Sequence, residues 1–355
     1  MKKILALLLA LILLTSALVG CSDMRDNSDK TETANCEDGT SDIPEAVITN
    51  TPKNPEEETT ESTLTESPIS DFEYEVNEDG GITITKYIGS ASTVFIPSKI
   101  AGKDVARLGD LSFAHKDLIT QIIIPNTITT IHSGVFMYCW RLTTVKLSSN
   151  LTSIGRGAFD NCTSLSNITL PDSLTTIEYA AFQKCSSLKS IRIPSNVVLE
   201  GMVFANSGLE EVSLGEGIEI IYSNTFAHTK LQEIVLPSTV REICSFAFES
   251  CHELQKITLN EGLKRIEDNA FRRNTKLTEI EIPTTVEFLS EYAFLQSDNL
   301  TAIKFKGNAP SEFLCQDEAL NEIYSYYSPT FIIYYHAGAE GFTSPEWNGF
   351  PAQLW

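Results

Sequence analysis

The residues of this 355-residue chain best suited to thiol, redox or metal chemistry are its eight cysteines and five histidines. A zinc site draws its ligands from closely spaced pairs. No Cys-x-x-Cys pair occurs, and His115, His132, His228, His252 and His336 are scattered, so neither a metal nor another cofactor is expected. A search for a Gly-x-Ser-x-Gly elbow, a phosphate-binding glycine loop, His-Glu-x-x-His and a calcium loop finds none. Glu210-Glu211 and Glu56 to Glu58 are paired in sequence alone and read as solvated acids. The chain therefore reads as a non-enzyme. Cys139, Cys162, Cys185 and Cys251 each stand three residues after a phenylalanine, which is a shared position rather than a reactive constellation. Buried cysteine behaves as a small apolar residue. On adjacent rungs about 5 Å apart, a Cys139–Cys162 or Cys162–Cys185 bridge is the alternative in an oxidising compartment.

That shared position belongs to a repeat covering most of the chain. Phenylalanine stands at 113, 136, 159, 182, 204, 226, 248, 271 and 294, at intervals of 22 or 23 residues. An aliphatic residue precedes each by five positions (Leu108, Ile131, Ile154, Ile177, Leu199, Ile221, Ile243, Ile266, Leu289), and a leucine follows five or six later, starting with Leu118 and Leu142. Alternating apolar pairs such as Ile122/Ile124 and Ile191/Ile193 come next, often closed by proline, as at Pro125 and Pro194, which ends a strand ladder. The one-residue variation is expected to fall in the loop between phenylalanine and leucine. A unit of this size cannot enclose its own apolar side chains, so neighbours must stack. The fold predicted is a repeat solenoid with one short parallel β-strand per 22–23-residue unit, β-rich with irregular or short helical return segments. Nine units at about 4.8 Å per strand give a sheet roughly 40 Å long.

The chain resembles the leucine-rich repeat surface proteins of the BspA-like type, whose repeat is followed closely by Leu188-Lys189-Ser190-Ile191-Arg192-Ile193-Pro194 and Ala158-Phe159-Asp160-Asn161-Cys162. The resemblance covers about residues 72–355. It implies an extracellular protein that binds an extracellular or host-matrix protein, with no particular ligand specified. Upstream, Lys2 and Lys3 precede an apolar run, Ile4 to Leu14, too short to span a bilayer, which needs about 20 residues. Leu18-Val19-Gly20-Cys21 then resembles the bacterial lipobox, in which the cysteine is acylated after cleavage. The resemblance implies lipid attachment at Cys21 and anchoring to the cell membrane, exposed to the outside. From residue 22 to 70 the composition is Ser, Thr, Pro and acid, with thirteen acidic and three basic side chains, and predicts a disordered, self-repelling tether. The division expected is a signal peptide over 1–20, tether over 21–70, N-terminal cap over 71–112, solenoid over 113–306 and an aromatic C-terminal cap over 307–355.

The net charge of −21 excludes nucleic acid as partner, since phosphate binding requires a basic face. With the strand aliphatics inward, outward columns form on the sheet face. Lys146 and Arg192 there could anchor an acidic partner, and Glu211 and Glu233 fall in the more acidic second half. Aromatic residues gather instead near the end, among them Tyr324, Tyr326, Tyr327, Phe331, Tyr335, Phe342, Trp347 and Trp355, and read as a cap or as a glycan-binding platform. The function expected is protein binding or adhesion at the cell surface. A structural or antigenic coat protein without a specific ligand, and a glycan-binding module, remain the alternatives.

Overall fold

The computed structural model describes residues 65–314 and 328–355. The expected signal peptide, Cys21 and most of the tether lie outside the described residues. Within them all nine repeat phenylalanines are buried, and from Phe136 to Phe294 consecutive rings stack with centroids 5.1–5.8 Å apart and planes within 6–19°. The chain turns sharply around each ring. Two residues after each phenylalanine stands a left-handed residue, from His115 (φ 58°) to Gln296 (φ 61°), and two before it stands another in most rungs, such as Met202 and Asn224 (both φ 59°). Most are not glycine, so each costs about 1–2 kcal/mol of backbone strain. Backbone bonds between rungs offset it: the Phe159 amide donates to the Ala181 carbonyl (2.8 Å) and the Asn161 amide to the Gln183 carbonyl (3.0 Å).

Either side of this corner run two stacks of short parallel strands. The front stack contains Gln121–Ile123, Thr144–Lys146, Asn167–Ile168, Ser190–Ile193, Glu211–Leu214, Glu233–Val235, Lys256–Thr258, Glu279–Ile282 and Ala302–Phe305. In the three-residue strands the middle residue points into the core and its neighbours point out, and the longer ones continue the alternation, as in Ser190–Ile193 where Ile191 and Ile193 are buried. The rear stack is built on the aliphatic five residues before the phenylalanine, from Thr130–Ile131 to Phe288–Ser290. Each rung thus adds a two- or three-residue rear strand to the front strand expected. Among the described residues the one helical turn is Ile69–Asp71.

Two details of the repeat differ from the sequence reading. Leu118 is exposed (55%), and Ile119 fills the core slot that Leu142 and Leu165 occupy in the next rungs. Only two of the three short intervals lose their residue after the phenylalanine. The third loses it between Ile193 and Leu199, where Asn196 turns through φ 62°. In the shortened loop after Phe204 the chain passes so close to its neighbour that a Cβ on Gly208 would lie 2.0 Å from the Ser186 carbonyl oxygen, so only glycine fits.

The ends close the core. Phe72–Val76 pairs antiparallel with Ile82–Tyr87, and Tyr87 stacks on Phe113 (5.3 Å, 12°), prolonging the ring column. Glu66 and Ser67, tether residues by composition, hydrogen-bond to Ser98 and Phe95. At the other end Ile332–Tyr335 and Phe350–Leu354 add two parallel strands to the front stack.

Candidate functional site

In the front sheet the outward column through Thr144 runs over Asn167, Ser190, Glu211, Glu233, Lys256 and Glu279, and a second runs through Lys146, Arg192, Ser213, Val235, Thr258 and Glu281. The four residues singled out in the sequence are all exposed on this face but do not converge on one point. Lys146 stands two rungs from Arg192 in the same column. Arg192 Nη1 lies 2.9 Å from Asp172 Oδ1, a partner that sequence reasoning missed because it lies 20 residues away on the adjoining turn. Lys146, Glu211 and Glu233 form no ion pair among the described residues.

The face is not continuous. Strand Glu211–Leu214 pairs with Ser190–Ile193 but not with Glu233–Val235, and Ser190–Ile193 does not pair with Asn167–Ile168. A third open joint separates Lys256–Thr258 from Glu279–Ile282, and the two joints beside strand 211–214 and strand 190–193 each carry a depression. One of about 420 Å³ is lined by Ile168, Ser190, Arg192, Glu211 and Ser213. The other, of about 660 Å³, lies between Glu211, Val212, Leu214 and Glu216 on one wall and Glu233, Val235 and Leu236 on the other. Val212 and Leu214, whose partners on the neighbouring strand, Ile191 and Ile193, are buried, are partly exposed here, and Val235 is the most exposed large apolar side chain described (65%). Strand 211–214 is therefore a ridge with Arg192 on one side and Glu233 on the other. Its residue types do not mark it, because they match those of closed joints.

The cysteine column has a chemical role that apolar packing alone does not describe. Cys139, Cys162, Cys185 and Cys251 are free, buried thiols, so neither expected bridge alternative is present. Each donates its S–H to the carbonyl oxygen of the phenylalanine one rung back: Cys139 to Phe113 (3.1 Å), Cys162 to Phe136 (3.0 Å), Cys185 to Phe159 (3.2 Å) and Cys251 to Phe226 (3.1 Å). Asn274 Nδ2 and Ser297 Oγ do the same to Phe248 (3.1 Å) and Phe271 (2.9 Å). The rungs between depart from this: the Ser207 hydroxyl is buried without a partner among the described residues, and Thr229 donates to Phe226 of its own rung (2.8 Å), so the position takes a small polar side chain of which cysteine is one. Burial pushes the Cys139 thiol up to about 12 and Cys251 up to about 11, and raises Cys162 and Cys185 well above the ordinary range. These thiols are chemically quiet.

On the rear face the ligand atoms of Glu242, Cys244 and Glu267 lie within 4.8 Å of one another, a grouping hidden in the sequence because Glu267 stands on the next rung, 25 positions after Glu242. Glu267 already accepts from the Ser245 amide and hydroxyl (both 3.1 Å). Partial burial first, then the two carboxylates, push Cys244 up to about 12.

The described C-terminal rings are mostly core. Phe305, Phe331, Tyr335, Trp347 and Phe350 are buried; Tyr335 stacks on Phe342 (4.8 Å, 6°), and Trp347 Nε1 donates to the Gly341 carbonyl (2.7 Å). Trp355 alone among them is well exposed (46%), against His336 (4.6 Å) and beneath the Lys304 ammonium (5.6 Å). Tyr324, Tyr326 and Tyr327 lie outside the described residues.

No curated protein matches the chain. Among solved structures it is similar to a leucine-rich repeat protein from Bacteroides ovatus ATCC 8483, with 22% identity over 82% of this chain and 77% of that one and a TM-score of 0.62. That likeness bears on the fold alone. It is also similar to a leucine rich cell surface protein from Faecalibacterium prausnitzii A2-165 (21% identity, 73% and 98% coverage, TM-score 0.47) and to a leucine-rich repeat protein of T. pallidum (28%, 66% and 91%, TM-score 0.39). The pattern described as "BspA type Leucine rich repeat region" matches two overlapping stretches, residues 106–230 and 198–312, together more than half of the chain. With the stacked rungs, the phenylalanine corner and the parallel front strands all in place, the chain belongs to the BspA-type leucine-rich repeat family.

Proposed function

We propose that this protein is a non-enzymatic binding protein of the cell exterior, held to the membrane by lipid on Cys21, which engages an extracellular protein through the front face of its solenoid. The observation that carries the reading is the pair of depressions flanking strand 211–214, where exposed charge (Arg192, Glu211, Glu233) adjoins exposed apolar surface (Val212, Val235) on a rigid frame. Charge beside apolar area on a preorganised surface is what a protein partner needs, whereas a featureless coat requires neither. The acidic segment between Cys21 and the solenoid would hold that face away from the lipid. The glycan alternative has little support, because most of the described C-terminal rings are buried.

Two measurements test it. Membrane fractionation of wild type and Cys21→Ala should move the protein from membrane to soluble fraction; membrane retention by the variant would sink the anchor. The full chain presented to purified matrix proteins should show saturable, selective capture that falls at least threefold for Arg192→Glu or Glu211→Lys. Absence of selective capture would leave the coat reading in its place.

A further inference from the structure

The cleft between strands 211–214 and 233–235 does not end at the edge of the front sheet. Its walls Glu210 and Gln232 also line a second cavity of about 570 Å³, formed with His228, Lys230, Ser250, His252 and Glu253 at the loop edge. The second cavity lies where the loop after Phe226 meets the loop after Phe248, which is one residue longer. The two cavities adjoin at Glu210 and Gln232, where the Gln232 backbone amide donates across to the Glu210 carbonyl (3.4 Å), and lie in line along the strands from His252 to Ser238. A strand rises about 3.3 Å per residue, so a groove flanking residues 210–216 has room for an extended segment of about six to seven residues.

The walls state what such a segment would carry. Five carboxylates line the groove (Glu210, Glu211, Glu216, Glu233, Glu253) against one lysine, Lys230. Lys189 pairs with Glu210 (2.6 Å) and Lys276 with Glu253 (2.5 Å), while Ser238 donates its hydroxyl to Glu216 (2.9 Å). Glu211 and Glu233, at the centre, form no ion pair among the described residues, and Lys256, the next residue in the column beside Glu233, does not reach it. Between these two carboxylates the floor and rim are apolar: Val212, Leu214 and Val235. A free carboxylate beside exposed aliphatic surface matches a lysine or arginine side chain, whose stem covers hydrocarbon while its head meets charge. The backbone edges of the two strands are also unpaired toward each other there.

We infer that this groove is the binding site for an extended, basic polypeptide segment in which lysine or arginine alternates with apolar residues. The inference rests on the protein-binding reading above and narrows it to one site and one ligand chemistry.

The full chain is titrated with a fluorescent octapeptide of alternating lysine and valine, with glutamate–valine and lysine–glycine octapeptides and spermine as comparators, at low and physiological salt. The lysine–valine peptide is expected to bind at least tenfold better than either comparator peptide. Glu211→Gln with Glu233→Gln should weaken it at least tenfold, and Val235→Lys similarly, while Glu279→Gln with Glu281→Gln on the same face changes it less than twofold, with the thermal melts of the three variants matching that of the wild type. Equal loss in the Glu279/Glu281 variant, equal binding of the lysine–glycine peptide, or displacement by spermine at matched charge would each overturn the inference, since diffuse acidity would then suffice. The matrix-protein capture separates the two levels: capture that depends on Arg192 but not on Glu211 and Glu233, with no peptide binding, refutes the groove and leaves the binding reading standing; failure of both arms removes both.

Discussion

The continuous phenylalanine column makes a quantitative claim about Phe182. Its ring is fully buried, with Phe159 at 5.1 Å and 6° on one side and Phe204 at 5.6 Å and 11° on the other. Replacement by leucine keeps an apolar side chain but removes both ring contacts, each contributing about 0.5–1.5 kcal/mol beyond area, and leaves a small void. The expected cost of Phe182→Leu is thus about 2–4 kcal/mol. Phe294 stacks on Phe271 alone within the column, so Phe294→Leu should cost about 1 kcal/mol less. The sharper test is a double-mutant cycle. Phe182→Leu with Phe204→Leu deletes their shared contact once rather than twice, so the pair should fall short of additivity by about 0.5–1.5 kcal/mol, whereas Phe136→Leu with Phe271→Leu, which share no contact, should be additive within about 0.5 kcal/mol. Urea midpoints at constant m-value supply the free energies. Additivity in both pairs, together with equal costs at Phe182 and Phe294, would show that the rings contribute only buried area and that the stacking argument is wrong.

Three further outcomes are expected. Gly208→Ala should lower stability by about 2–3 kcal/mol by forcing the shortened loop off the Ser186 carbonyl, against about 1 kcal/mol for Gly102→Ala, where no atom lies within 4 Å of the added Cβ; comparable urea midpoints would refute the close-approach reading. Cys162→Ser should stay within about 1 kcal/mol of wild type because a hydroxyl fills the same role as Ser297, while Cys162→Val should cost about 1–3 kcal/mol; a valine variant as stable as the serine one would mean the donor is unnecessary. In peptide-resolved alkylation at pH 8 the native thiols at 139, 162, 185 and 251 should stay unlabelled until urea is added. Because folding raises these pKa values, the stability they lend is whole below the unfolded thiol value near about 8.5 and is lost as pH climbs toward 11 and 12, so urea midpoints should fall over that alkaline window.

The repeat was legible because its core is written in side-chain types at fixed intervals. Phe136, Ile131 and Leu142 occupy the slots their spacing predicts, and the front residues Lys146, Arg192, Glu211 and Glu233 face outward as alternation requires. Leu118 was misplaced because two adjacent aliphatics, Leu118 and Ile119, both suit the slot and only the loop path chooses between them. The donor role of the cysteines was hidden by reading each as a hydrophobe, although Asn274 and Ser297 three residues after Phe271 and Phe294 carry the signal: thiol, hydroxyl and amide at one position point to hydrogen bonding, which most members of the column make and Ser207 does not. Residue types do not mark the clefts, because whether two strands pair depends on how closely their backbones approach, and Val212 and Ile234 look the same in sequence as the paired Ile234 and Ile257.

Why the front sheet parts beside strand 211–214 follows from comparing what the chain can give up. The three 22-residue intervals run consecutively from Phe182 to Phe248, so these turns must match longer neighbours with less chain. One response is to separate the rings. The spacing does widen to its largest value, 5.8 Å, between Phe204 and Phe226, but the pair stays stacked at 10°, and the Phe204 amide still reaches the Thr225 carbonyl at 2.9 Å. Opening the column there would expose phenylalanine, at about 3–5 kcal/mol for a ring lost from the core. Letting a short ladder go releases a few backbone bonds whose groups then turn to water, at about 0.5–1.5 kcal/mol each. The cheaper mismatch is at the strands, and between these same two rungs both stacks are unpaired: Glu211–Leu214 from Glu233–Val235 in front, and Val198–Leu199 from Ile220–Ile221 behind. The front ladder also opens at Asn167–Ile168/Ser190–Ile193 and at Lys256–Thr258/Glu279–Ile282, both beside 23-residue intervals, so a front gap needs no deletion; what sets the 211–214 joint apart is that the rear stack opens with it, and the groove lies where both ladders give way.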